Sequence, residues 1–238
     1  MSHVRPYFRQ LLSGRDFAVS DPLAQSMANN VYLIGDLDTR ECVVVDPAYH
    51  VDEILDTANN DDMTITGVLV SHYHADHIGG SMMGHTIEGL TRLLEVLDVP
   101  IHANRHEVPW ITRTTGLSSD AITSHDGGDV VKAGSLTIEL VHTPGHTPGS
   151  QCFHFQGALV SGDTLFLDGC GRTDFPGSNS EDMYYSLQKI ASLPDETVIF
   201  PGHRYSEHPF GDLRTIKAHN HVFRPNSVDQ WMQWFGSN

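Results

Sequence analysis

Short apolar runs recur along the chain between polar turns, at 31–34, 42–45, 67–70, 136–141, 152–155, 158–160 and 197–200. They are rich in β-branched residues and bounded by Gly, Asp, Pro or Asn, which predicts strands. Three segments carry a helical period instead. At 51–58, Val51, Ile54, Leu55 and Ala58 stand at i, i+3, i+4 and i+7, one face of a helix. The segments 86–97 and 181–190 show similar spacing, the second with acidic residues in its first turn, where they favour a helix N-terminus. Strands interleaved with helices predict an α/β or α+β class. The stretch 112–128, with its Thr, Ser, Asp and Gly, reads as a long loop or a seam between two halves.

With no solenoid-length repeat, low-complexity tract or long linker in 238 residues, one domain spanning 1–238 is expected. Its tail, from about 206, would pack on the core or on a second subunit through Trp231, Trp234 and Phe235. Thirty Asp and Glu against 14 Lys and Arg leave a formal charge of −16, which repels a phosphate backbone and an anionic membrane alike. No cluster of Lys and Arg offsets it, so neither nucleic acid nor membrane is an expected partner. A small-molecule substrate is expected, and the aromatic tail leaves room for a homodimer. Residues 1–14 lack the apolar stretch of a secretory signal and no apolar run approaches about 18 residues, so a cytoplasmic location is expected. Cys42, Cys152 and Cys170, odd in number and widely spaced, read as free thiols in or near the core.

Histidine changes the picture. The chain has 16, more than its Lys and Arg together, and imidazole is the commonest metal ligand. Taken singly, His85, His102, His125 and His154 read as structural. The run Ser71-His72-Tyr73-His74-Ala75-Asp76-His77 differs, because it sets four potential ligands where a strand should end. Alternate side chains of an extended segment share a face, so His72 and His74 can converge on one ion. A turn into a helix would re-aim Asp76 and His77 at a neighbouring position. His146 in His-Thr-Pro-Gly-His-Thr, Asp163 in Ser-Gly-Asp-Thr and His203 in Pro-Gly-His-Arg-Tyr follow predicted strands in Gly- or Pro-flanked turns, where a rigid sheet presents functional side chains.

The order His-x-His-x-Asp-His, then His, then Asp, then His resembles that of the metallo-β-lactamase superfamily, glyoxalase II-like branch, from Asn30 to about Tyr205. The resemblance implies an αββα sandwich of two mixed sheets flanked by helices. It implies that His72, His74 and His146 hold one metal, that Asp76, His77 and His203 hold a second, and that Asp163 bridges them. Two Zn2+ suit that nitrogen and oxygen set, though iron or manganese also accept it. The implied activity is hydrolysis of a thioester, ester or lactone-type carbonyl by a hydroxide shared between ions roughly 3.5 to 4 Å apart, with Asp76 helping to orient it.

The run Asp168-Gly169-Cys170-Gly171-Arg172-Thr173-Asp174-Phe175 is similar to the loop that borders the substrate site in glyoxalase II and persulfide dioxygenases. The resemblance makes Arg172 and Tyr205 substrate contacts, and the segment 81–110 the shaper of a family-specific cleft. Only residues 204–238 follow His203, short of the helical C-terminal domain that supplies part of the glutathione site in glyoxalase II. Persulfide dioxygenases are closer in length, and in them a single iron uses two His and one Asp, here His72, His146 and Asp163, in a facial triad. The Gly before His203 resembles the hydrolase version.

Overall fold

The structure, a computed structural model, describes residues 4–236; the first three and last two positions of the expected domain, and the start of the segment searched for a signal, lie outside the described residues. In chain order the first half forms β1 (Pro6–Leu12), α1 (Pro22–Met27), β2 (Asn30–Asp36), β3 (Glu41–Val45), α2 (Val51–Asn60), β4 (Thr64–Leu69), α3 (Ala75–Ile78), β5 (Gly80–Met82), β6 (His85–Ile87), α4 (Leu90–Val96), β7 (Ile101–Asn104), α5 (Val108–Thr115) and β8 (Ile122–His125). The second half forms β9 (Val130–Ala133), β10 (Leu136–His142), β11 (Gln151–Phe155), β12 (Ala158–Gly162), α6 (Ser180–Ala191), β13 (Val198–Pro201), β14 (Gly211–Asp212), α7 (Leu213–His219) and α8 (Val228–Phe235). Two six-stranded sheets result, ordered β1-β2-β3-β4-β7-β8 and β14-β13-β12-β11-β10-β9, while β5 and β6 pair as a separate hairpin.

Side-chain alternation turns these sheets into four layers. Along β2, Val31 and Leu33 enter the core shared with α1, α2, α4 and α5, whereas Tyr32 and Ile34 enter the core between the sheets. Strand β3 divides the same way, Cys42 and Val44 outward, Val43 and Val45 inward. Across the interface β11 sends Phe153 and Phe155 inward, while its Cys152 joins Leu159, Met183, Leu187 and Trp231 in a third core under α6 and α8. Strands buried on both faces must be apolar at consecutive positions, which is why the expected runs were continuous. The architecture is the expected αββα sandwich of mixed sheets. Phe153 is fully buried between the sheets. Phe153→Ala is therefore expected to cost about 3–5 kcal/mol of stability, read as a lower denaturant midpoint at unchanged slope.

All seven apolar runs lie in strands to within one residue, Val70 and Thr197 falling just outside, and the segments 51–58 and 181–190 lie in α2 and α6. The expected helix at 86–97 is corrected. His85–Ile87 pairs with Gly80–Met82, and a Cβ on Gly89 would meet the Ile78 carbonyl oxygen at 2.1 Å, so the backbone approach there forces a glycine and the helix starts only at Leu90. The stretch 112–128 is no long loop, but its end, after β8, is the seam expected as the alternative, where the chain leaves the first sheet for the second. It holds the end of α5, a 3₁₀ turn and β8, an edge strand whose Thr123 and Ser124 are exposed and so lack an apolar signal. In the tail, α7 and α8 place Leu213, Ile216 and Trp231 in the third core, and the Trp231 indole donates to the Ser180 carbonyl at 2.7 Å. Cys42 and Cys152 are buried, Cys170 half-buried, and all three are free thiols. Among the described residues no helix is long and apolar enough to cross a membrane.

Candidate metal centre

The two sheets meet at one end of the sandwich, where strand ends face each other. Gln151 at the start of β11 donates to the Ser71 carbonyl just past β4 (3.0 Å), and Asn30 at the start of β2 donates to the Gly202 carbonyl just past β13 (2.7 Å). Every candidate ligand leaves a strand's carboxyl end here: His72 and His74 after β4, His146 after β10, Asp163 after β12 and His203 after β13. Asp76 and His77 ride on the single turn of α3, so the predicted re-aiming by a helix is present. His72, His74 and His146 form one convergent group and Asp76, His77 and His203 a second.

The hydrogen bonds fix which ring nitrogen faces inward. His146 Nδ1 donates to the Arg172 carbonyl (2.7 Å) and His203 Nδ1 to the Met27 carbonyl (2.8 Å). His77 Nδ1 donates to the Asp46 carboxylate (3.0 Å). Ser71 Oγ gives its own proton to Asp46 (2.5 Å) and so accepts from His72 Nδ1 (2.9 Å). Each of these four imidazoles therefore turns its Nε2 inward. His146 Nε2 lies 3.0 Å from His74 Nδ1 and His77 Nε2 lies 3.1 Å from His203 Nε2, while His72 Nε2 and Asp163 Oδ1 are buried without a hydrogen bond, Asp163 Oδ1 lying 3.5 Å from His77 Nε2. Nitrogen pairs at such range need a proton or a metal ion between them, and the buried His72 Nε2, which has no hydrogen bond, gains a partner only from an ion, so the donor set fits a metal. Asp163 lies between the groups, 3.6 Å from His146 Nε2 and 3.3 Å from His203 Nε2.

The two halves differ in charge. Burial and the neighbouring His146 push His74 down to about 4, and burial together with His77 holds His72 well below the usual range, so that side stays neutral. At His77 burial opposes protonation, yet Asp163, Asp76 and Asp46 outweigh it and raise its pKa to about 10. The field that draws a proton onto His77 would draw a metal cation equally. Asp76 sits 3.4 Å from His203 Nε2 and accepts from the Asn29 amide at 3.1 Å.

A cleft of about 720 Å³ opens over His74, Asp76, His146, Asp163 and His203. Arg172 and Tyr205 both line it. The Arg172 guanidinium is gripped by Asp174 through two contacts, 2.9 and 2.6 Å, and lies over the Phe175 ring. Tyr205 stacks on His203 with ring centroids 4.7 Å apart. Of the segment 81–110, Ser81, Met82 and Met83 line the cleft, whereas α4 and β7 belong to the outer part of the fold. His102 pairs with His125 (2.9 Å), His154 lies beside Glu139 (3.4 Å) and His85 is exposed; among the described residues none of these joins a metal-competent group.

Three supporting residues escaped the sequence reading. Asp46 organises His77 directly and His72 through Ser71, and it does so from φ 52°, a left-handed conformation unusual for a residue with a Cβ. Its signal is a Val-Val-Val-Asp-Pro strand end like the one before His72. Asn29 holds Asp76, as above. Buried Glu107 accepts from the backbone N–H of Tyr73 (2.8 Å) and Gly149 (2.7 Å), clamping the two ligand loops together, while burial pushes its carboxyl up to about 7. Gly202 has a visible purpose too: a Cβ there would stand 2.3 Å from Asp163 Oδ1. Gly202→Ala is expected to displace that carboxylate and weaken metal retention about tenfold, measured by elemental analysis after dialysis.

The sequence profile of the metallo-beta-lactamase superfamily matches residues 26–203. The "Probable polyketide biosynthesis zinc-dependent hydrolase BaeB" of Bacillus velezensis is 28% identical over 211 residues, 88% of each chain. The hydroxyacylglutathione hydrolase of Maricaulis maris is 36% identical over 195 residues, 81% of this chain and 69% of that one. Among solved structures, ETHE1 from Myxococcus xanthus superposes with a TM-score of 0.77 at 30% identity, covering 96% of this chain and 89% of the other. With ligand order, fold and relatives in agreement, the chain belongs to the metallo-beta-lactamase superfamily, on its glyoxalase II and persulfide dioxygenase branch.

Proposed function

We propose that this protein is a hydrolase that holds two metal ions, zinc foremost, and cleaves a thioester, ester or lactone carbonyl. The observation that carries the reading is the set of inward ring nitrogens, paired at 3.0 and 3.1 Å, whose outer nitrogens on four of the five rings are already committed elsewhere. His72, His74 and His146 would hold one ion, Asp76, His77 and His203 the other, with Asp163 between. Relatives described as zinc-dependent or hydroxyacylglutathione hydrolases support it.

When bound, such ions ease loss of a proton from water near neutral pH and polarise a carbonyl oxygen. The chain's own residues do the rest. Asp76, held by Asn29 and open to the cleft, is placed to take the proton of the attacking water and to orient it. Carbonyl anchors on His146 and His203 fix the rings that face the reacting carbon. Glu107 keeps the two ligand loops in register without touching substrate. Water adds to the carbonyl carbon, the C–S or C–O bond breaks, and the proton passes to the departing thiolate or alkoxide.

The likeness to ETHE1 favours a second reading, a mononuclear iron persulfide dioxygenase using His72, His146 and Asp163. Assaying zinc-loaded protein on thioesters and lactones, beside oxygen uptake by the as-purified protein with glutathione persulfide, separates the two. Hydrolysis without oxygen uptake is expected. One iron per chain with persulfide-dependent uptake and no hydrolysis would replace the proposal.

A further inference from the structure

The walls of the cleft differ chemically from its floor. The floor is the metal-competent cluster. Around it stand Met27, Met82, Met83, Phe166 and Phe175, with the exposed Tyr205 at the edge. Met83, at the tip of the β5–β6 hairpin, is 78% exposed although it borders the cleft. A large apolar side chain left in water beside a concave site marks a surface that waits for an apolar ligand, and methionine adapts to ligands of varied shape.

Charge points the same way. Arg172 is the only Lys or Arg lining the cleft among the described residues, and its guanidinium is already engaged by Asp174. Asp168 adds an exposed carboxylate to the lining. Any positive charge that ions bring lies at the floor among Asp76, Asp163 and Asp46. An acidic ligand reaching past the reacting carbonyl would meet no free cation on the walls, one carboxylate, and the field of a chain at −16.

We infer that the cleft selects an uncharged, apolar acyl compound, such as a thioester of an aliphatic acid with a neutral thiol, over an anionic peptide conjugate. The inference names the substrate class of the site proposed above and rests on that reading for its chemistry, but the selection itself is a property of the walls. Hydrolysis would balance as water plus thioester giving the apolar acid and the free thiol, with no other reactant.

Binding separates the two ideas. Calorimetry on the full-length protein would compare two inert thioethers, S-hexyl-N-acetylcysteamine and S-hexylglutathione, which share the hexyl chain and differ in charge. The neutral compound is expected to bind about tenfold more tightly, and to lose about tenfold when hexyl is shortened to methyl. Met83→Arg, at the exposed tip of the hairpin, is expected to narrow or reverse the preference between the two. Equal or tighter binding of the glutathione thioether by the unaltered protein overturns the inference, as does indifference to chain length. The matching hexanoyl thioesters are then assayed with zinc-loaded protein. Preference in binding without turnover of either ester keeps the wall selectivity and sinks the hydrolase reading, whereas turnover with the glutathione ester preferred sinks the selectivity alone.

Discussion

His74→Ala is expected to reduce hydrolysis about 10³-fold or more while the protein stays folded. The side chain is half-buried at the mouth of the cleft, and its Nδ1 faces His146 Nε2 at 3.0 Å. Truncation therefore removes a ligand and hardly any core volume. The arrangement it leaves, His72 and His146 with no third nitrogen, cannot hold an ion in the geometry a hydrolase needs. Turnover against a thioester, with circular dichroism and thermal midpoint as controls, checks this. A variant with near-normal turnover would mean that the 72–77 motif is not the working site.

Asp46→Ala has the second-largest expected effect, although Asp46 stands outside the seven candidate ligands. Its carboxylate accepts from Ser71 N (2.7 Å), Ser71 Oγ (2.5 Å) and His77 Nδ1 (3.0 Å), and through Ser71 it also sets the tautomer of His72. Without it, two ligands in different halves of the cluster lose the bond that aims their Nε2 atoms. Zinc affinity is expected to fall about 10- to 100-fold, read by competition with a chromophoric chelator. The buried N–H groups left unpaired should also cost stability, about 1–3 kcal/mol apiece. Asp46→Asn, which keeps one acceptor oxygen, should recover part of both. Unchanged affinity in the alanine variant would reduce Asp46 to a strand-end residue.

The candidate ligands were legible in the sequence because all seven follow strands with apolar runs or lie one turn beyond one, so local pattern and chemistry coincide. Asp46 was not. It meets His77 only because β3 and β4 run parallel and side by side, with Val45 opposite Leu69, a pairing that no local pattern announces. The resemblance made Arg172 a substrate contact, and Arg172 does line the cleft, but its tie to a neighbouring carboxylate was not legible. The carboxylate that engages it, Asp174, stands only two residues on, but spacing alone does not say that a loop will fold the two together. The failed helix at 86–97 has a similar cause: its period is genuine from Leu90 onward, and only the close approach of Gly89 to Ile78 shows why it cannot begin earlier. Strands β7 and β8 are short and carry His or Thr and Ser, so their membership of the sheet is decided by pairing rather than by their own residues.

The central claim is a site for two ions built from seven side chains. Titrating chelator-treated protein with zinc in a calorimeter, with His203→Ala alongside, tests it most directly. Two equivalents per chain are expected for the unaltered protein and one tight equivalent for the variant, because His72, His74 and His146 still converge in it. A stoichiometry of one or none in the unaltered protein would contradict the account.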